Sequence, residues 1–317
     1  MKKMNKHKTI KIIIISLFLI LVSGCTKYLS NTDNKTIIYE KTGQSVTSNI
    51  LCKPTDPELI KIYNDNTKKL EIELKDLPTC ENFKISDIKY SGLWETIFVK
   101  PLAWLIIKIG NIVNNYGLAV MLVGLLIRLA LIPLNKKNLV QSKKMKNAQI
   151  DLAAIEKKYK EKKDKESVLA KNQETVLVYN KHGVNPVTGC VFSLIQFPLF
   201  LAFLEAINRV PAIFEGKLLS FQLGTSPSLG MSKGNYFYII IIVAVVLSTY
   251  FSLKNSPLTP STSPEQAKQG KYMQIFMLVF ISIASFSLPT AIALYWTITN
   301  VVTAVQNVLV NKKEVVK

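Results

Sequence analysis

The residue whose position most strongly suggests a chemical role is Arg128. It is the single charge in an apolar stretch from Gly117 to Leu134, which is long enough to cross a membrane as a helix. A charge near the centre of a bilayer costs about 2.5–3.5 kcal/mol, so charges inside membranes commonly serve a function. No Asp or Glu lies in the core of another such stretch, and Glu205 lies at the end of one. Two interpretations follow: the guanidinium faces a water-filled cavity, or the side chain extends to the inner membrane surface.

Polar side chains in other apolar stretches could line such a cavity. Gln196 lies in the middle of a stretch that runs from residue 187 to residue 204. Near the C-terminus, Trp296, Asn300 and Thr303 share one helical face because they are three or four residues apart. The same polar groups could instead form hydrogen bonds between helices, which are common in membrane proteins. The residue types alone leave both interpretations open.

The composition excludes most enzymatic chemistry. The chain has two histidines, His7 and His182, so it can hardly build a histidine-based metal site or a catalytic triad. His182 precedes Gly183, and glycine commonly ends helices, which favours a structural role for this histidine. The sequence also contains no nucleotide-binding loop. We therefore expect no metal, no cofactor and no enzymatic activity.

The amount and distribution of charge indicate a membrane protein. The chain of 317 residues has a formal net charge of +19, yet 49% of its residues are hydrophobic. This combination is atypical of soluble nucleic-acid-binding proteins and of disordered chains, so we expect no DNA partner. Residues 135–181 carry thirteen lysines against six acidic residues, and residues 1–11 carry five lysines and no acid. Because short lysine-rich segments stay in the cytoplasm, this excess predicts the topology.

Hydropathy predicts five membrane spans. Residues 272–311 contain no charge, and as one helix they would measure about 60 Å, twice the thickness of the hydrocarbon core. This region should therefore form two spans with a turn at Ser287-Leu288-Pro289-Thr290. The other three spans are residues 117–134, 187–204 and 236–253. Five spans starting outside place the net-basic segments 135–186, 254–271 and 311–317 in the cytoplasm.

An amphipathic helix is predicted before the first span. Apolar residues recur at helical spacing between residues 92 and 108. Trp94, Lys100 and Trp104 are residue types that suit a membrane interface. We expect this helix to lie on the outer membrane surface.

The first 25 residues are typical of a bacterial lipoprotein signal. Lysines precede an apolar stretch of eleven residues, which is too short for a comfortable span. Small residues, Ser23 and Gly24, then come directly before Cys25. This pattern predicts that Cys25 becomes the lipid-modified first residue and anchors the chain on the outer face. An ordinary signal peptide is the alternative.

Residues 25–90 are predicted to form a polar extracytoplasmic segment. They show little apolar periodicity, and they contain Cys52 and Cys80. In an oxidising compartment these two cysteines could form a disulfide, or they could remain free thiols. The sequence does not decide between the two states.

Residues 135–186 are predicted to form a cytoplasmic helical hairpin. Apolar residues in each half are three or four positions apart, which predicts a seam between two antiparallel helices. The lysines outside this seam are either a solvated face or a contact for anionic lipid, ribosomal RNA or nascent chains. The predicted seam residues are Met145, Ala148, Leu152, Ile155 and Tyr159 in the first helix, and Leu169, Asn172, Val176 and Tyr179 in the second.

Several of these segments resemble the YidC/Oxa/Alb family of membrane protein insertases. The similarity covers residues 92–310 in the expected order, and the N-terminal signal resembles that of the bacterial branch that carries a lipoprotein signal peptide. The matching segments are residues 116–120, 126–129, 132–134, 141–145, 179–186, 189–190, 195–200, 288–289, 294–296 and Asn300.

The resemblance implies a fold and a mechanism. It implies an all-α membrane protein with five transmembrane helices around a hydrophilic groove that is open to the cytoplasm and lipid and closed outside. Arg128 matches the positive residue of that groove and Gln196 matches a polar position, and we place Trp296, Asn300 and Thr303 with them. The implied function is insertion of membrane proteins, in which short hydrophilic segments cross through the groove and the helices leave laterally into lipid. A small-solute transporter is the alternative.

The resulting domain organisation has five parts. Candidate partners are nascent membrane proteins, membrane lipids, the Sec translocon and, through the hairpin, the ribosome. The expected localisation is the cell membrane, with several spans and an N-terminal lipid anchor. The parts are a signal peptide 1–24, a polar segment 25–90, an amphipathic interfacial helix 91–116, an insertase core 117–310 that includes the hairpin 135–186, and a basic tail 311–317.

Overall fold

Apolar residues at helical spacing produce a mostly helical chain, as the sequence predicts. The computed structural model describes residues 26–87, 92–162, 164–185, 187–254 and 264–315, and it describes no side chains for 187–197, 264–269 and 310–315. The predicted signal peptide 1–24 and Cys25 therefore lie outside the described residues.

The elements follow the chain in a simple order. The polar segment contains a two-stranded hairpin, β1 Ile38–Tyr39 and β2 Gln44–Ser45, followed by α1 Pro57–Asp65. A second short hairpin, β3 Lys217–Leu218 and β4 Phe221–Gln222, lies between α7 and α8. The remaining helices are α2 Lys100–Val113, α3 Tyr116–Ala130, α4 Ile132–Lys158, α5 Lys165–Lys181, α6 Val187–Arg209, α7 Pro211–Phe214, α8 Pro227–Ser232, α9 Tyr238–Lys254, α10 Pro264–Ser287 and α11 Thr290–Val315.

Some of these helices could cross a membrane by length and composition. Three stretches qualify among the described residues: Glu95–Val113, which includes α2 and a π-helical turn before it, Gly270–Ser287 and Thr290–Leu309. The number is four if α3 and α4, which are bent by 56°, count as one broken span. Helix α9 is apolar but shorter. The predicted turn at Ser287-Leu288-Pro289-Thr290 is confirmed, because α10 ends at Ser287 and α11 begins at Thr290.

The first predicted span is a shorter helix than expected. Hydropathy extends it to Leu134, whereas α3 ends at Ala130 and α4 begins at Ile132. Pro133 explains the break, since proline lacks the N–H that a continuous helix requires and is tolerated only in a first turn. The chain therefore changes direction just after Arg128.

The chain divides into two compact units. The first comprises residues 1–123, 198–235 and 288–292, and the second comprises residues 124–197, 236–287 and 293–317. Several helices contribute residues to both units, since α3 changes unit after Val123 and α6 after residue 197.

In the first unit, the polar segment 26–87 folds around a hydrophobic core of its own. Side chains such as Leu51, Leu59, Tyr63 and Phe83 are fully buried. They come from loops, short turns and a single helix, so these apolar residues do not recur at a helix or strand period in the sequence. Cys52 and Cys80 form a disulfide across a separation of 28 residues, which settles the choice that the sequence left open.

The helix predicted to lie on the outer surface is also packed in the first unit. One face of α2 is buried through Leu102, Ala103 and Ile106. Trp94 and Lys100, which the sequence places at a membrane interface, are instead buried at 5% and 2% exposure. The reason is an ion-pair cluster, described below, that a local pattern does not reveal.

In the second unit, α4 and α5 form a helical hairpin around an apolar seam. The seam predicted for the first helix is confirmed, since Met145, Ala148, Leu152, Ile155 and Tyr159 are all buried. The seam predicted for the second helix is confirmed at Tyr179 and wrong at Leu169, Asn172 and Val176, which are exposed. Val178 packs against the first helix beside Tyr179.

The hairpin ends at a glycine, as the sequence predicts. Gly183 follows α5 with a φ of +60°, a left-handed conformation that glycine adopts without steric cost. Its N–H donates to the carbonyl of Asn180, and Val184 N–H donates to the carbonyl of Tyr179. These bonds satisfy carbonyls at the end of α5 and return the chain toward the seam, where Val184 is buried.

Candidate functional site

Arg128 is positioned by close packing between α3 and α11 in the second unit. Gly124 lies one helical turn before Arg128, and a Cβ atom added to it would lie 3.1 Å from the ring of Tyr295 and 3.2 Å from Ile298. A Cβ at these distances would be tighter than an ordinary contact, so glycine favours this close approach, as is common where membrane helices pack. Tyr295 is itself fully covered, at 1% exposure.

Arg128 is buried, and its guanidinium has no carboxylate partner among the described side chains. Arg128 is 7% exposed. A side chain that extended to the membrane surface would be exposed, so this burial favours the other interpretation. Within the part of the chain that the structure describes, no hydrogen bond or ion pair joins the guanidinium to another residue. Tyr295 is the titratable group that acts on it electrostatically. A buried cation in this state is costly, so its retention points to a function.

Arg209, in the first unit, has the opposite environment. The sequence contains two arginines and 38 lysines, and both arginines are buried in helices. The Arg209 guanidinium lies 3.0 Å from Glu95 Oε1 and 3.7 Å from Glu205 Oε2, and its Nε donates to the carbonyl of Asn49 at 2.7 Å. Arg209 is thus neutralised and hydrogen-bonded, which is typical of a structural ion pair.

Two further side chains complete the cluster around Arg209. Lys100 Nζ lies 3.7 Å from Glu95 Oε1, and Trp94 Nε1 donates to Glu205 Oε1 at 3.0 Å. Two cations therefore face two carboxylates. This cluster was not predicted from the sequence, although the scarcity of arginine and the spacing of four between Glu205 and Arg209 are visible there.

The polar residues predicted on α11 have partners of different kinds. Asn300 Nδ2 donates to Thr249 Oγ1 on α9 at 2.8 Å, the interhelical hydrogen bond that the sequence left open as an alternative. Thr303 Oγ1 donates to the carbonyl of Thr299 at 2.7 Å within its own helix. Trp296 is half-buried. Asn300 and Thr303 therefore already hold hydrogen bonds, whereas no described residue bonds to the guanidinium of Arg128.

A pair of amides between α4 and α11 was not predicted. Asn135 Nδ2 donates to Gln306 Oε1 at 3.0 Å. The other two amide atoms, Asn135 Oδ1 and Gln306 Nε2, are buried and have no hydrogen-bond partner among the described residues. Such groups cost free energy unless a further group pairs with them. Gln196, the second predicted groove residue, lies on α6 where side chains are not described.

The comparisons with known proteins agree with this architecture. The model of a family described as 60Kd inner membrane protein matches residues 108–317. The chain is 37% identical over 227 residues to the membrane protein insertase YidC of Oceanobacillus iheyensis, which covers 71% of this chain and 86% of that protein. It is 34% identical over 225 residues to the membrane protein insertase MisCA of Bacillus subtilis, covering 71% and 81% of the two chains. The chain belongs to the YidC family of membrane protein insertases.

Membership of the YidC family decides between the functions that the sequence left open. The chain is a multi-pass cell-membrane protein and a membrane protein insertase, not a small-solute transporter. The YidC family is not enzymatic, and the described residues contain no cluster of His, Cys, Asp and Glu that could hold a metal ion.

In this YidC family member, acidic residues hold the hairpin together. Asp151 on α4 binds Lys181 at 2.9 Å and His182 at 3.0 Å, and hydrogen bonds from His182 and Lys181 lower the pKa of Asp151. Glu174 on α5 accepts from Lys158 and Tyr159, which lowers the pKa of Glu174. Some lysines of the hairpin therefore stabilise it through these pairs, and the other lysines lie on its surface.

Proposed function

We propose that residues 117–310 form five membrane helices around a hydrophilic groove, and that Arg128 provides the positive charge of this groove. The groove is open to the cytoplasm and to lipid and closed on the outer side. Family membership supports this arrangement. The main structural observation in its favour is a buried guanidinium without a carboxylate or hydrogen-bond partner among the described residues.

The physical task of the groove is to lower the cost of moving polar peptide through hydrocarbon. An unsatisfied polar group in a bilayer costs several kcal/mol, so a hydrated groove that crosses part of the membrane shortens the barrier. Arg128 offers five N–H donors and a permanent charge. Because no described residue bonds to its guanidinium, it can hold an acidic or polar segment transiently. Asn135 Oδ1 and Gln306 Nε2, which have no partner among the described residues, add one acceptor and one donor.

Release then follows from burial of the client's apolar helix in lipid. The apolar surface of that helix is transferred sideways into the bilayer, which is favourable at about 25 cal/mol per Å². The step needs no nucleotide. The candidate residues of the groove are Arg128, Gln196, Trp296, Asn300 and Thr303.

The surroundings of the core are part of the same proposal. Residues 135–186 receive the client in the cytoplasm, and their exposed lysines provide the contact for anionic lipid and for the ribosome. The Sec translocon is a further partner that shares clients. Residues 91–116 lie at the outer interface, and residues 311–317 form a basic cytoplasmic tail.

Reconstitution into liposomes tests the insertase function directly. We expect purified protein in liposomes to insert a small single-span client, so that its translocated segment becomes protected from added protease. Protein-free liposomes of the same lipid are the control. Equal protection in both would reject the proposal.

The N-terminus carries a separate prediction. Residues 1–24 are removed, and Cys25 becomes the acylated first residue, which anchors the chain on the outer face of the membrane. Mass spectrometry of the mature N-terminal peptide should find a diacylglyceryl or palmitoyl mass on Cys25, and Cys25→Ala should leave the signal uncleaved. An unmodified Cys25 or a different first residue contradicts the prediction.

A further inference from the structure

The segment of residues 26–87, which we call the outer clamp, is a folded body with a covalent closure. Its core is dry, with Leu51, Cys52, Leu59 and Tyr63 fully covered. The Cys52–Cys80 disulfide joins its two halves. No part of the insertase proposal uses this body.

The clamp is bonded to the end of α6. Arg209 Nε donates to the carbonyl of Asn49 at 2.7 Å, and the N–H of Leu51 donates to the carbonyl of Arg209 at 2.8 Å. Gln44 Nε2 donates to Asn208 Oδ1 at 3.0 Å. The two side-chain hydrogen bonds are buried, and the third bond joins two main-chain atoms, so together they fix the path of α6 where it ends.

The clamp also holds the loop after α6. The carboxylate of Glu215 accepts from the N–H groups of Thr55 and Asp56, each at 3.1 Å, and from the Thr55 hydroxyl at 2.6 Å. Lys233 Nζ donates to the carbonyls of Glu40 and Lys41 at the other end of this loop. The loop from residue 210 to residue 235 is therefore fastened to the clamp near both of its ends.

The same loop holds the beginning of α11. The N–H and the hydroxyl of Thr290 both donate to the carbonyl of Thr225, at 2.9 and 2.7 Å, and Ala291 N–H donates to the carbonyl of Leu223. Gly224 lies between them, and a Cβ there would be 2.9 Å from Gln44 Oε1 of the clamp. A continuous set of contacts thus runs from the disulfide to the first turn of α11.

We propose that the outer clamp keeps the outer side of the insertase closed by fastening the end of α6 and the start of α11 into one rigid piece. This inference rests on the proposed function, in which the groove is open to the cytoplasm. A path open to the cytoplasm leaks ions unless its outer side is sealed. The clamp supplies that seal through its hydrogen bonds to α6 and to the loop 210–235 and through one disulfide, rather than through contact with clients.

Hydrogen–deuterium exchange on the full chain in lipid nanodiscs tests the coupling. We expect Cys52→Ser/Cys80→Ser, or reduction of the native protein, to raise exchange at least about tenfold in peptides covering residues 205–226 and 288–292. Peptides of the hairpin seam around Leu152 should not change. Glu215→Gln should accelerate exchange in residues 210–226 while leaving the clamp core intact, and Lys61→Ala, on the exposed face of α1, is the matched control. Acceleration confined to residues 26–87 in every variant overturns the proposal.

A leak assay separates this inference from the insertase function. Proteoliposomes with a pH-sensitive dye inside should hold a proton gradient with the native chain and with Lys61→Ala, and should lose it faster with Glu215→Gln or Cys52→Ser/Cys80→Ser. If these variants showed accelerated exchange but still held the proton gradient, the proposal that the clamp seals the outer side would be rejected. Failure of the native chain to insert a client would reject the proposed function and leave the exchange and leak results standing.

Discussion

Replacing Arg128 with alanine abolishes insertion of clients whose translocated segment carries charge, and Arg128→Lys retains part of the activity. The guanidinium has no competing partner among the described residues, so its whole binding capacity is available to the client. Lysine keeps the charge but offers a compact ammonium with fewer donors. A loss of at least about tenfold in insertion rate, or about 1.4 kcal/mol, is expected in the liposome assay.

The same substitution should not destabilise the protein. Removing a buried charge that lacks a partner relieves a desolvation cost, so Arg128→Ala should unfold at the same denaturant concentration as the native chain or at a higher one. Lys61→Ala removes an exposed charge and should leave insertion unchanged. Full complementation of a depleted strain by Arg128→Ala at native protein levels would contradict the role of this residue.

Replacing Arg209 with methionine should destabilise the protein, unlike the replacement of Arg128 with alanine. Replacing Arg209 leaves Glu95 and Glu205 buried with Lys100 as the remaining cation, and it removes the bond to the Asn49 carbonyl. Breaking one partner of a buried ion pair costs about 3–5 kcal/mol, so we expect a large loss in the free energy of unfolding. Denaturant titration of the purified protein, followed by tryptophan fluorescence through Trp94, measures it.

Two comparisons make the Arg209 result specific. Lys75→Met removes the cation of an exposed pair with Glu73 and should change nothing measurable. The double variant Glu95→Gln/Arg209→Met should lose less stability than the two single losses added together, because the residues are in contact. An Arg209→Met protein as stable as Lys75→Met would show that the cluster is not structural.

Local pattern was sufficient to predict the helices and to single out Arg128, which is buried. A single charge within an apolar run is visible in the sequence, and so is the turn at Pro289 between two uncharged stretches. The seam of α4 was also predictable, because Met145, Ala148 and Leu152 recur at a helical period. The seam of α5 was predictable only at Tyr179, since Leu169 and Val176 have the right spacing but are exposed, while Val178 packs beside Tyr179.

The parts that sequence could not predict depend on pairing across long separations. Nothing near Arg209 indicates that its partners are Asn49 and Glu95, which are 160 and 114 residues away. The clamp core is built from irregular segments, whose burial follows no period. The choice between free thiols and a disulfide depends on whether Cys52 and Cys80 meet in the fold, which spacing alone does not determine.

The long separation of the clamp contacts imposes an order on the protein's own biogenesis. Residues 26–87 are synthesised before Glu215, which is 160 residues from Thr55. The disulfide between Cys52 and Cys80 lies within this earlier segment, whereas the contacts of the segment with Glu215 can form only after the second half of the polypeptide has been synthesised. A chain stalled in translation before residue 209 would therefore carry a finished N-terminal module with nowhere to attach.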